Sequence, residues 1–494
     1  MQIAIPALLL LGLGAGPAAS SPGASPAPAG ATVIAVLEHH GGPSRAGTYR
    51  APELTRSADA GFHLDGGFGA SLAGRIYAQP LYVPGDAGSP DLVLAASEAN
   101  EVGAFDARTG RAVWRRSLGP PVSLSALPCG NIDPLGITGT PIVDPSSRTV
   151  FLDAMTTPDG GSTKRHLVFA LSVDDGSTRP GWPVDVGASV PGFDPGVQNQ
   201  RGALALVHGR LFVPYGGFYG DCGNYRGWLV SIPVLTPAQV SAYHTGARGG
   251  GMWGPSGVSS AGGTVFVATG NTFGATTWSG GEGVLAFTAG ASLGESPADW
   301  FAPSNWTRLD AGDVDVGGSG PVLVDLPGST PRALAVALGK DGKIYLLDRE
   351  HLGGLGGALF VRRVSNTEII NAAAAYTTAA GTYVAFRGGG VGCAGDLTAV
   401  KLTPGAPPKA EVAWCAKASG RGSPIVTTSD GHSDTVVWVV GAEGDEKLHA
   451  FDGDTGAPVL AVSLGARVRR FQSPIVSNGR IYVAVDGGVR ALLR

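Results

Sequence analysis

The sequence predicts an all-β protein, an eight-bladed β-propeller of four-stranded blades whose ring is closed by the N- and C-terminal strands. Three observations lead there. The 494 residues include 79 glycines and 36 prolines against 15% charged side chains, a composition of many turns between short strands rather than of long surface helices. The stretch "AFDARTGRAVW", residues 104–114, has the form A-x-D-x-x-T-G-x-x-x-W and returns 346 residues later as "AFDGDTGAPVL", with Leu460 in the place of the tryptophan. Between the two copies apolar strands recur, ending near Ser172, Ile232, Thr288, Asp348 and Lys401 at steps of 51 to 66 residues. One sheet of four short strands cannot bury both faces alone, so such units stack into a ring.

The N-terminal "MQIAIPALLLLGLGAGPAASS" is an apolar run ended by small residues and is read as a signal peptide over residues 1–20, although no Lys or Arg precedes the run. "SPGASPAPAG" opens an expected flexible linker over 21–45, and residues 46–494 are assigned to the propeller. Within the motif, Asp106 is expected to accept turn amides, Gly110 to take a backbone conformation other residues resist, and Trp114 to bury its ring. The final "SPIVSNGRIYVAVDGGVRALLR" supplies only three strands of its unit. The missing strand is assigned to "AGFHLDGGFGASL", residues 60–72.

If strands A to D of each unit alternate in direction, the B–C loops and the D-to-A crossings share one face. All four cysteines fall there. Cys129 lies in a crossing, Cys222 and Cys393 in B–C loops, and Cys415 at the end of a D strand. An exported chain with four cysteines carries two disulfides by default. Cys393 and Cys415 oppose each other within one unit, which leaves Cys129 for Cys222.

The net charge of −4 supplies no basic field for nucleic acid, and no stretch beyond the N-terminal run is long and apolar enough to span a bilayer. No cysteine follows the signal, which disfavours a lipid-anchored assembly scaffold, and no C-x-x-C-H attaches a haem. A secreted or periplasmic monomer is expected, with an unidentified protein or small-molecule ligand as partner.

The motif at 104–114 resembles the repeat of quinoprotein dehydrogenase-like propellers. More closely, stretches such as "CGNIDPLGITGTPIVD", "NQRGALALVHGRLFVPYGG", "GGMWGPSG", "VFVATGN" and "GKDGKIYLLDRE" resemble a group of exported bacterial PQQ-like propeller proteins, from about residue 60 to the C-terminus. The resemblance implies pyrroloquinoline quinone (PQQ) and calcium as the candidate cofactors. Trp253 would stack under the quinone and Arg226 would accompany it. Asn271 and Asp221 would ligate the metal, and Asp315 or Asp313 would take a substrate's hydroxyl proton. The chain also departs from that pattern. Aligned through Arg226, the acidic ligand position falls on Cys222, with Asp221 one place away, and no two cysteines are adjacent.

Plainer roles compete. Trp253 suits blade packing, Asn271 suits a turn, and Asp310, Asp313 and Asp315 suit a solvated acidic loop. Tyr215, Phe218, Tyr219 and Tyr225 either line a ligand mouth or pack beneath a loop. His166 and His208 have no partner at ligand spacing. A binding module that uses its loop-rich face is the leading expectation, and a PQQ- and calcium-dependent alcohol or sugar dehydrogenase is the alternative.

Overall fold

Asp106 turns the chain as its place in the motif requires. Its Oδ1 accepts from the amides of Arg108 and Thr109, at 3.0 and 2.7 Å, and from the Thr109 hydroxyl at 2.9 Å. Asp452 repeats the arrangement with Asp454 and Thr455. The strand that follows each turn runs back along the blade, and the ring of Trp114 reaches the neighbouring blade, donating from Nε1 to Val173 O at 2.7 Å.

The computed structural model describes Met1 and residues 33–494, apart from 57–60 and 87. The expected signal peptide and the first part of the expected linker lie outside the described residues. Eight blades follow one another around an axis. Blade 1 comprises Leu81–Val83, Leu92–Ala96, Glu101–Asp106 and Ala112–Ser117. Blade 2 runs from Ile142–Asp144 to Val184–Asp185, blade 3 from Ala205–Val207 to Ser241–His244, blade 4 from Ser259–Ala261 to Asp299–Ala302, blade 5 from Val322–Asp325 to Phe360–Arg363, blade 6 from Ala374–Thr378 to Lys409–Ala416, and blade 7 from Ile425–Thr428 to Pro458–Ser463. The last blade has three C-terminal strands, Ile475–Ser477, Arg480–Val485 and Gly488–Leu493. Two short N-terminal strands, His63–Leu64 and Ala70–Ser71, pair antiparallel with its outermost strand. The ring is thus closed by both ends of the chain, as the sequence predicts.

The core lies between blades, in apolar clusters that each draw on neighbouring sheets. Two disulfides, Cys129–Cys222 and Cys393–Cys415, join the expected partners on the loop-rich face.

The end of the expected linker requires correction. From Val36 onward the chain is packed, with His39, His40 and Arg45 buried. It runs along the axis and meets the innermost strand of one blade after another. Val36 bridges Tyr82 of blade 1, and Val143 N of blade 2 donates to Leu37 O at 2.8 Å. Ser260, Leu323, Ala375 and Val426, on blades 4 to 7, donate to the carbonyls of Pro43, Ser44, Ala46 and Gly47. Thr48–Arg50 then adds a parallel strand inside blade 7. Inner strands of a propeller present free edges to the axis, and this segment satisfies them. Composition favours a linker only up to about residue 30; beyond it, Val36, Leu37 and Tyr49 have apolar side chains that the core takes in.

Candidate functional site

Converging loops place the predicted residues on the loop-rich face. Trp253 lies in the crossing from blade 3 to blade 4, Asn271 in the B–C loop of blade 4, and Asp313 and Asp315 in the crossing to blade 5. A short helix, Trp306–Gly312, is anchored by buried Trp306 and Leu309 and ends at Asp313 in a left-handed conformation, φ 51°. This turn sends Asp315 inward.

There Asp315 is the hub of a buried cluster. Its Oδ2 accepts from Trp253 Nε1 at 2.8 Å and lies 3.1 Å from Lys340 Nζ, while its Oδ1 accepts from Asn271 N at 3.2 Å. Lys340, from the B–C turn of blade 5, also reaches Asp313 Oδ1 at 2.9 Å and sits 5.4 Å from the centre of the Trp253 ring. Burial pushes the Asp315 carboxyl up against the pull of Lys340. Burial works to lower the Lys340 ammonium, but the two carboxylates outweigh it and its net shift is upward. Beneath them Glu282 is buried, and burial together with Asp315 pushes its carboxyl up to about 10. Asp310 belongs to the scaffold, where it accepts from the amide and hydroxyl of Thr272.

Asp221 also reaches this cleft, with its Oδ1 accepting from Tyr225 OH at 2.6 Å. Arg226 does not. Its guanidinium donates to the carbonyls of Thr245 and Gly246, which fixes a neighbouring turn. Tyr215 is also absent from the cleft: its OH donates to Asp153 Oδ2 at 2.8 Å, and Asp153 in turn holds the buried His166 at 2.7 Å. Phe218, Tyr219 and Tyr225 line the cleft wall.

The resemblance implies a calcium ion beside Asp315. A calcium ion takes six to eight oxygen ligands. Both Asp315 oxygens are engaged, and Lys340 already supplies the positive charge between Asp313 and Asp315. Among the described residues no group of three or more His, Cys, Asp or Glu side chains is placed to hold a metal ion. Calcium does not fit between Asp313 and Asp315. The half-buried Trp253 faces a cavity of about 690 Å³ whose wall carries cations alongside acids, Glu368 and Glu443 among them.

Those cations were missed in the sequence. Arg75, Arg467, Arg469 and Arg470 line the same cavity from crossings on the opposite side of the axis, and Arg201 from the crossing next to that of Trp253. Arg201 has no hydrogen-bond acceptor among the described residues and lies 5.8 Å from the centre of the Phe471 ring. Below it, His39 of the axial segment forms part of the cleft floor. The run "RVRRF", residues 467–471, in a D-to-A crossing was a usable signal, because strand alternation places every such crossing on this face.

No family model matches the sequence, and no curated protein matches it. Solved structures do. Quinohemoprotein alcohol dehydrogenase from Comamonas testosteroni superposes with a TM-score of 0.65 at 14% identity, over 93% of this chain and 80% of that one. A europium-containing methanol dehydrogenase gives 0.63 at 15%, over 91% and 89%. BamB from Moraxella catarrhalis gives 0.51 at 16%, over 86% and 96%. At these identities the likeness is one of fold: the chain has the eight-bladed propeller architecture of quinoprotein alcohol dehydrogenases.

Proposed function

We propose that this protein is an exported binding propeller whose axial cleft takes an anionic small molecule. One observation carries the reading: Arg201 stands at the cleft without an acceptor of its own, in a wall where Arg75 and Arg467, neither in an ion pair among the described residues, add further positive charge. A guanidinium held this way offers its donors to a carboxylate or phosphate. Export is supported by the signal-like N-terminus and by two disulfides in a chain of four cysteines. Among the described residues no helix is long and apolar enough to cross a membrane.

A second reading, a quinone-dependent alcohol or sugar dehydrogenase, is favoured by the convergence of Trp253, Asn271, Asp315 and Lys340. A bound quinone would supply the two-electron acceptor. Asp315 would take the hydroxyl proton on Oδ1, which accepts only the Asn271 amide. The poor fit for calcium between Asp313 and Asp315 places this reading second.

The two readings separate in one experiment. PQQ, a planar tricarboxylate, is added to the purified protein with and without calcium, excess is removed by desalting, and retained absorbance and dye reduction by alcohols and sugars are measured. Retention without calcium and without dye reduction is expected, and Trp253→Ala and Arg201→Gln should each release the quinone. Dye reduction dependent on both additions would replace the first reading by the second. No retention under either condition would overturn the axial site.

A further inference from the structure

The axial cavity opens sideways into a second one of about 550 Å³, over blades 5 to 7, with Tyr219, Lys340, Ile370 and Phe471 shared between the two. Its wall presents three guanidinium groups that no ion pair neutralises. Arg363 donates from Nε to Ser365 O at 3.1 Å, and Arg387 from Nε to Gly420 O at 3.1 Å. Arg421 has no side-chain hydrogen bond among the described residues. Several half-buried arginines elsewhere are matched with acids: Arg148 lies 2.7 Å from Asp174, Arg349 2.8 Å from Asp325, and Arg470 2.8 Å from Glu443.

Two of the nearby acids are already committed: Asp396 spends its carboxylate on the amides of Ala418, Ser419 and Gly420, and Asp341 holds Lys343 and the Tyr345 hydroxyl. Glu368, exposed at the rim of the lobe, forms no ion pair with the three and leaves them in excess. Burial and the neighbouring Arg421 cation together push the Arg387 guanidinium down, against the pull of Asp396. Like charges gathered in a concave wall without a counter-charge are costly, and an anion removes the cost.

We infer that this lobe is a second anion subsite, which takes a carboxylate or phosphate group between Arg363, Arg387 and Arg421. The inference rests on the proposed binding role of the loop face and narrows its ligand class. A molecule that fills both lobes carries acidic groups at two places, which makes it a small polyacid rather than a neutral alcohol or sugar. Guanidinium forks suit carboxylate and phosphate alike, so the source of the anion is left to the two arms of the experiment.

Citrate and pyrophosphate, each too compact to fill both lobes, are titrated separately into the full chain by calorimetry. Saturable binding of at least one is expected, and which one binds identifies the source. Arg387→Gln with Arg421→Gln should weaken it about ten-fold or more, the effect of losing charged hydrogen bonds. Arg363→Gln, at an exposed position that folding does not depend on, should weaken it several-fold. Arg201→Gln should remove only binding at the axial site and leave in place the component that the lobe variants abolish. Binding that responds to Arg201→Gln and not to the lobe variants, or no binding of either probe, would overturn the subsite. Quinone retention by the double variant reports on the axial reading separately, so failure of one is distinguishable from failure of the other.

Discussion

Trp414 does for blade 6 what Trp114 does for blade 1. Each pairs across its sheet with an alanine, Ala399 and Ala104, and each donates from its indole to a carbonyl of the next blade, Gly453 O at 3.0 Å and Val173 O at 2.7 Å. Gly456 of the following motif makes room for it, since a Cβ there would lie 2.6 Å from Trp414 Cε3. At the same point Gly110 takes the backbone of Gly69 and Ala70, the strand that closes the ring. Glu98 is a residue whose role burial alone decides. It is sealed from solvent, its Oε2 accepts from Gly136 N at 2.7 Å, and its Oε1 has no partner among the described residues. Burial raises its carboxyl to about 7, against the Gly136 amide and the Arg201 cation. The native chain therefore holds a proton that the unfolded chain has lost above its own value of 4.5. Its contribution to stability is intact below 4.5 and is lost as the pH rises from there through 7. The stability difference between wild type and Glu98→Gln should fall by about 3 kcal/mol between pH 4 and 8, close to the equivalent of that shift. Urea unfolding at successive pH values measures it, and a flat difference would show that Glu98 is charged in the fold.

At the scale of elements, strands and turns were legible and the axial segment was not. Strand ends fall where the spacing puts them, at Asp106, Ser172, Thr288, Asp348 and Asp452. The tryptophan of blade 6 was hidden only because its C–D turn is longer than the motif template. The axial segment lacks the strand periodicity that pattern reading relies on, because its hydrogen bonds go to a different blade every residue or two. Arg45 is its anchor. The guanidinium is fully buried and donates to Val258 O at 2.6 Å, Leu204 O at 2.8 Å and His39 O at 3.0 Å, with Glu38 Oε2 at 2.7 Å. Arg45→Met removes the cation and strands a carboxylate and three backbone carbonyls, a loss on the order of 3 kcal/mol. The expected outcome is a lower melting midpoint together with faster hydrogen exchange at the amides of Leu323, Ala375 and Val426, which donate to this segment. Unchanged exchange at those three amides would show that the segment holds to the axis without its arginine.

For the whole molecule, the repeat dictates the ring, and the ring decides which loops meet. That is why the fold was readable in the sequence while the site was readable only in part. Trp253, Asn271 and Asp315 come together from local patterns in neighbouring loops, but Arg75, Arg467 and Arg470 join the cleft from blades remote in sequence, and no local pattern records such a meeting. Ring closure itself hangs on a buried ion pair. Arg480, on a C-terminal strand, lies 2.8 Å from Asp65, on the N-terminal segment, with both side chains sealed from solvent; the same guanidinium donates to Arg108 O of blade 1 at 3.1 Å. Removing one partner of such a pair leaves a buried charge short of its counter-charge, at about 3–5 kcal/mol. In a linear array that loss would fray one end only, but a ring has no end, so opening one seam exposes the faces of both adjoining blades. Asp65→Asn should therefore lower the denaturation midpoint of the entire propeller. The shift should appear equally in the circular dichroism of the strands and in tryptophan fluorescence, which reports on blades far from the seam, such as those around Trp182 and Trp300. A change confined to exchange in residues 61–72 and 488–493, with the global midpoint unmoved, would show that the blades stand without the closing pair.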